Sequence, residues 1–241
     1  MRRFLLTLVA AGALVFSNEL ARPLRPPPDG TARAPAWITL LGPLRPFVGE
    51  LVRLRFEATR AQQSIGGQLE EAWKVLLLEP QRAETFVDFA SWFLFDAPRL
   101  AATAAERDAC VRSGFEILRA GRTLHPRAAR LLSAEALALD HFARRAPERL
   151  EPAGLRPGES ARGRALVLLE EALALTPPDD ADRFFLRLEL ALCIEGLLAD
   201  PASDAELRAR ARAAAERLLR EPDLDRESRE SLSAALKAGG S

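Results

Sequence analysis

The chain has 241 residues, 48% of them apolar and 28% charged, with 34 basic residues against 34 acidic ones. That is enough for one sizeable domain or one extended array. A formal charge of zero argues against a general nucleic-acid binder, which needs surplus positive charge to meet phosphates. Only Lys74 and Lys237 among the basic residues are Lys, Tyr is absent, and Asn18 is the only Asn. Such a bias follows GC-rich bacterial codons, so the Arg excess carries little information about phosphate binding.

Met1-Arg2-Arg3 is a short basic start, and Phe4 to Phe16 follows with no charge and one polar residue, Thr7. Thirteen residues at about 1.5 Å each give roughly 20 Å of helix, short of a ~30 Å hydrocarbon core. Residues 1–17 therefore read either as a secretory signal peptide cut near Val15-Phe16-Ser17, or as an uncleaved anchor lengthened by snorkelling arginines. The first places the rest of the chain in the periplasm or beyond. The second holds it on the inner membrane, facing the periplasm. A cytosolic apolar N-terminus is the plainer alternative. Residues 18–43 carry Pro23, Pro26, Pro27, Pro28 and Pro35 and read as an extended linker. Its end, Trp37 to Leu41, is expected to pack on the first helix or rest at the membrane interface.

From residue 44 to 238 the pattern is helical throughout, with no period-two run and no hairpin turn. Leu44–Gln62 is expected to bury Leu51, Leu54 and Ala58, with Val48, Val52 and Phe56 beside them. Gly66-Gly67 is expected to break the chain before a partner helix, Gln68–Leu78. Ala83–Phe95 places Phe86, Phe89, Ala90 and Phe93 on one face and is expected to stop at Asp96-Ala97-Pro98. A return helix, Thr103–Arg122, puts Cys110, Gly114, Phe115 and Leu118 inward. Arg127–Arg145 has the stripe Leu131, Leu132, Ala136, Leu139 and Phe142. A proline- and glycine-rich loop, Ala146–Ser160, precedes Ala161–Leu175, for which Ser160 is the expected cap. Ala181–Leu198 is expected to bury Phe184, Phe185, Leu188 and Leu192. Ser203–Arg220 should be capped by Ser203 and show a salt-bridged outer face. Asp225–Lys237 is a closing helix poor in large apolar residues, and 239–241 is a tail.

The face Phe86, Phe89, Ala90, Phe93 resembles the first helix of a tetratricopeptide repeat, and Ala165, Leu169, Ala172 with Pro177 resembles its second helix. The closing prolines, Pro80, Pro126, Pro177 and Pro222, are 46, 51 and 45 residues apart, where the standard unit is about 34. The resemblance implies an all-α, right-handed solenoid of about four degenerate hairpins plus a C-terminal capping helix. With the N-terminal leader, it is also similar to exported or membrane-anchored tetratricopeptide-like proteins of GC-rich bacteria. Glu135 departs from the pattern, standing where a large apolar residue belongs.

No phosphate loop, nucleophile elbow or metal spacing is present, and no cofactor or metal is expected. His125 reads as a cation at a helix C-terminus, and His141 as a surface residue. Adjacent carboxylates such as Glu70 and Glu71 point about 100° apart on a helix and form no acid/base pair; Glu70, Glu71 and Asp180 read as exposed or helix-start charges. Cys110 and Cys193 read as small buried residues, with a disulfide as the alternative in an exported chain. Function is then expected in a concave groove lined by the first helix of each pair. The resemblance puts Glu84, Val87, Ser91 and Phe95 there, and by analogy Asp88 and Arg130. Such grooves take an extended peptide or a partner's helix. The expected role is a non-catalytic scaffold for a protein partner. A structural subunit of an envelope assembly is the alternative, and an enzyme with an unrecognised site ranks last.

Overall fold

The computed structural model describes Ile38, residues 41–200 and residues 203–238. The signal or anchor reading of 1–17, most of the linker and the 239–241 tail lie outside the described residues. Within them the chain is all-α, with no strand. Nine helices carry it: α1 Arg45–Thr59, α2 Ile65–Leu78, α3 Ala83–Ser91, α4 Ala104–Leu124, α5 Ala129–Arg145, α6 Ala161–Leu175, α7 Asp182–Ala199, α8 Ala205–Leu219 and α9 Arg226–Ala238. Among the described residues no helix is long and apolar enough to cross a membrane.

The boundaries follow local chemistry. Ser64 and Ser160 accept backbone N–H bonds from Gly67 and Gly163, satisfying orphan donors at the starts of α2 and α6. Thr103 and Glu106 form a reciprocal capping box at α4. Pro80, Pro126, Pro177 and Pro222 each follow the end of a helix, because the residue before proline is driven out of helical geometry. Gly66 and Gly67 do not break the chain: they form the first turn of α2, where the Ser64 cap offsets their entropy. The cap of α8 is Asp204, accepting from Leu207 at 2.7 Å, while Ser203 is buried. Nor does α3 stop at Asp96. It continues as a π-turn, Trp92–Asp96, and a single α-turn, Ala97–Leu100, whose first turn accommodates Pro98.

Consecutive helices pack as pairs, α1 on α2, α3 on α4, α5 on α6 and α7 on α8, with α9 against α7 and α8. The pairs join through α3 on α5, α4 on α5 and α6 on α7. Close approach of α3 and α4 depends on missing side chains. A Cβ at Gly114 would lie 2.5 Å from Leu94 Cγ, and one at Gly121 would lie 2.9 Å from Phe86 Cβ. The expected inner residues of α4 (Cys110, Gly114, Phe115 and Leu118) and the full α5 stripe are buried.

Two helices turn differently from expectation. On α1 the buried face is Gly49, Val52 and Phe56. Leu51 and Leu54 are 50% and 57% exposed and continue an apolar stripe with Leu44 and Phe47. Phe56 decides the rotation: its ring meets Phe89 edge-on at 5.0 Å and Trp92 at 6.4 Å. Trp92 in turn donates to Gln68 at 3.0 Å, and Arg60 lies 4.2 Å above its ring. On α7, Leu186, Leu190, Ile194 and Leu197 are buried, whereas Phe184, Phe185 and Leu192 are exposed.

Each junction between helix pairs encloses a charge cluster. Glu79, 2% exposed, accepts from Arg53 at 2.9 Å and Thr85 at 3.0 Å. Glu135 is buried between Arg122 (2.7 Å) and Arg164 (3.2 Å), which explains its place in an apolar stripe. Asp140 meets Arg144 and Arg162, and Arg162 also holds Asp200 at 2.7 Å. Buried Arg187 donates to Glu221 at 2.9 Å. Glu71, expected to be exposed, is 6% exposed and pairs with Lys74 at 2.9 Å. The arginines of α8 do form salt bridges, but across helices: Arg210 and Arg217 both reach Glu170 on α6.

Candidate functional site

Three helices present the same periodic stripe to one concavity. On α3 it is Glu84, Val87 and Ser91, on α5 Arg130, Ser133 and Leu137, and on α7 Asp182, Phe185 and Glu189. Steps of three and four residues keep each set on one side of its helix. The other side of α3 carries the buried Phe86, Phe89 and Ala90. The stripes, with Leu175 at the end of α6 and Asp180 from the α6–α7 connection, line an open cavity of about 490 Å³.

Of the groove residues expected from sequence, Glu84, Val87, Ser91, Phe95 and Arg130 come together in this cavity. Asp88 does not line it. It faces α1, its carboxylate 3.7 Å from Arg53. Phe95 has two roles: it lines the cavity end and stacks on Phe142, ring centroids 6.1 Å apart and planes at 9°. His141, expected on the surface, is half-buried and meets Phe95 and Phe142 edge-on, each at 5.2 Å. Its pKa is lowered, chiefly by burial and then by the neighbouring Arg145 and Arg144.

Among the stripe residues, sequence reading missed Ser133, Leu137, Asp182, Phe185 and Glu189. A signal was available. Moving Glu84, Val87 and Ser91 along by 46 residues, the first proline interval, lands on Arg130, Ser133 and Leu137. A further 52 lands on Asp182, Phe185 and Glu189, one residue beyond the second proline interval.

The charges in the cavity are partly matched. Arg130 Nε donates to Asp182 at 2.7 Å, tying α5 to α7. That bond, then the charges of Asp182, Glu84 and Asp180, raise the Arg130 pKa. Ser133 donates to Glu189 Oε2 at 2.7 Å. Burial pushes the Glu189 carboxyl above the ordinary range, and the Ser133 bond opposes this only in part. Four carboxylates, Glu84, Asp180, Asp182 and Glu189, face two guanidiniums, Arg127 and Arg130, so the cavity is net acidic.

The remaining reactive side chains lie elsewhere. Cys110 and Cys193 are buried and unpaired, their thiols pushed up to about 11 and about 12 by burial; at neutral pH neither supplies a thiolate. His125 closes α4 with its Nε2 2.7 Å from the Pro80 carbonyl and its ring against Phe86. No group of three or more His, Cys, Asp or Glu side chains among the described residues is arranged to hold a metal ion. Compared with known proteins, the chain matches no family model, no curated protein and no solved structure.

Proposed function

We propose that the chain is a non-catalytic scaffold, held at the inner membrane or exported across it, that binds a peptide or helix of a protein partner in this cavity. On this reading the helix pairs form a tetratricopeptide-like solenoid closed by α9, and α3, α5 and α7 line its concave side. The observation that carries the reading is the repeated stripe, three helices offering side chains in one register to a single cavity. Phe185, 60% exposed, is a large ring lining that cavity, the kind of anchor that dominates binding when a partner covers it.

The test is affinity purification of the tagged full-length chain from detergent-solubilised membranes of its host, beside Phe185→Ala and Phe95→Ala variants. A partner recovered in near-stoichiometric yield with the parent and lost with Phe185→Ala supports the reading. Equal recovery with all three refutes the groove. Phe95→Ala is expected to lose the partner and also about 2 kcal/mol of stability, less than the ~3–5 of a fully buried Phe, since its ring is only half-buried.

A second reading, a structural subunit of an envelope assembly, draws on the α1 stripe of Leu44, Phe47, Leu51 and Leu54, all at least half exposed. Partner loss on Leu51→Ser with Leu54→Ser, and not on Phe185→Ala, would favour it.

A further inference from the structure

Glu189 stands apart from the buried carboxylates of this protein. Glu79, Glu135 and Asp140 each meet a guanidinium within about 3 Å. Glu189 is half-buried between α5 and α7, and its one polar contact among the described residues is the hydroxyl of Ser133. Of the two guanidiniums lining the cavity, Arg127 and Arg130, the latter is already engaged by Asp182. One turn before Glu189 on α7 lies exposed Phe185, and across the cavity exposed Leu137. A half-buried carboxylate beside open apolar surface loses its remaining water when an apolar segment covers it, and a cation delivered with that segment offsets the loss.

We propose that Glu189 is the specificity-determining residue of the groove, and that the segment bound there is apolar and carries one Lys or Arg whose cation pairs with Glu189. The inference rests on the groove reading above and narrows it. An acidic segment is excluded by the excess of carboxylates around the cavity. A purely apolar segment would bury Glu189 without a counter-charge, a penalty that sets it at a disadvantage against a segment carrying a cation.

The test is selection of a displayed library of random twelve-residue peptides on the full-length chain, with Glu189→Gln and Phe185→Ser as parallel baits. Gln keeps an acceptor for Ser133, so the variant retains its fold. Peptides enriched on the parent chain are expected to place Lys or Arg among apolar residues. Each should bind Glu189→Gln at least ~10-fold more weakly, as loss of a charge-assisted bond under a bound segment requires, and fail on Phe185→Ser. Enriched peptides that need Phe185 but carry no basic residue, or that bind Glu189→Gln as well as the parent, overturn this inference and leave the groove standing. Peptides indifferent to both substitutions, or no enrichment at all, overturn the groove reading and this inference with it.

Discussion

Replacing Gly114 by Ala adds one methyl group at the tightest contact between α3 and α4. The new Cβ would lie 2.5 Å from Leu94 Cγ, 2.8 Å from its Cδ2 and 3.2 Å from the Ala90 carbonyl oxygen. Carbon atoms pack at about 3.5–4.0 Å, so Leu94 must retreat by about 1 Å. It is 3% exposed and has nowhere open to go. Overpacking of this kind costs about 1–3 kcal/mol, and a blocked branch carbon backed by a carbonyl belongs in the upper half of that range. Helix propensity returns about 0.8–1.0 kcal/mol, leaving a net loss of about 1–2 kcal/mol. Gly66→Ala is the control, since a Cβ there meets nothing within 4 Å; it is expected to stabilise by about 0.4–1 kcal/mol. Urea unfolding followed by far-UV circular dichroism measures both. For a chain of this size, about 2–4 °C in Tm accompanies each kcal/mol, so the two variants should melt on opposite sides of the parent. A Gly114→Ala protein as stable as the parent would show that α3 and α4 do not approach as described.

Other consequences concern buried charge. Glu79→Ala leaves Arg53 facing a dry junction and is expected to cost about 3 kcal/mol, the low end for breaking a buried pair, because Arg53 keeps some access to water; denaturant unfolding reads it. The lowered pKa of His141 means that the unfolded chain takes up its proton first as pH falls. Stability should therefore drop below about pH 6.5, the ordinary histidine value, and His141→Gln should remove that part of the drop. The raised pKa of Glu189 has the opposite sign. Its ionised form weighs against the fold at neutral pH, and the penalty is relieved as pH falls through the raised value. Glu189→Gln should then melt above the parent at pH 7, with the gap closing on acidification. An unchanged gap across that range would contradict the burial of this carboxylate.

The sequence made the helices readable because prolines and caps punctuate them and because α3, α4 and α5 each have one apolar face. It misplaced α1 and α7 for a shared reason. Both carry apolar residues on two faces, and periodicity alone cannot say which is inward. On α1 that choice is made by Phe56 fitting between Phe89 and Trp92, a contact 33 and 36 residues along the chain. On α7 buried Arg187 interrupts the inner stripe and makes the Phe184-Phe185 face look more hydrophobic than the true one. The cavity was legible on α3, from the resemblance, and at Arg130. It was missed on α7, where Phe185 had been assigned to the core. Glu189 was invisible because nothing in a sequence distinguishes a solvated carboxylate from one withdrawn between two helices.

The charge clusters at the junctions bear on how this architecture can change over time. In arrays of near-identical units, a unit can be duplicated or deleted because every seam is alike. Here the seams differ: Glu79 meets Arg53 at the first, Glu135 meets Arg122 at the second and Asp200 meets Arg162 at the third. Moving a hairpin to another place would bring a guanidinium or carboxylate against a surface lacking its mate. Exchanging the order of the helix pairs would therefore require rewriting both sides of a joint.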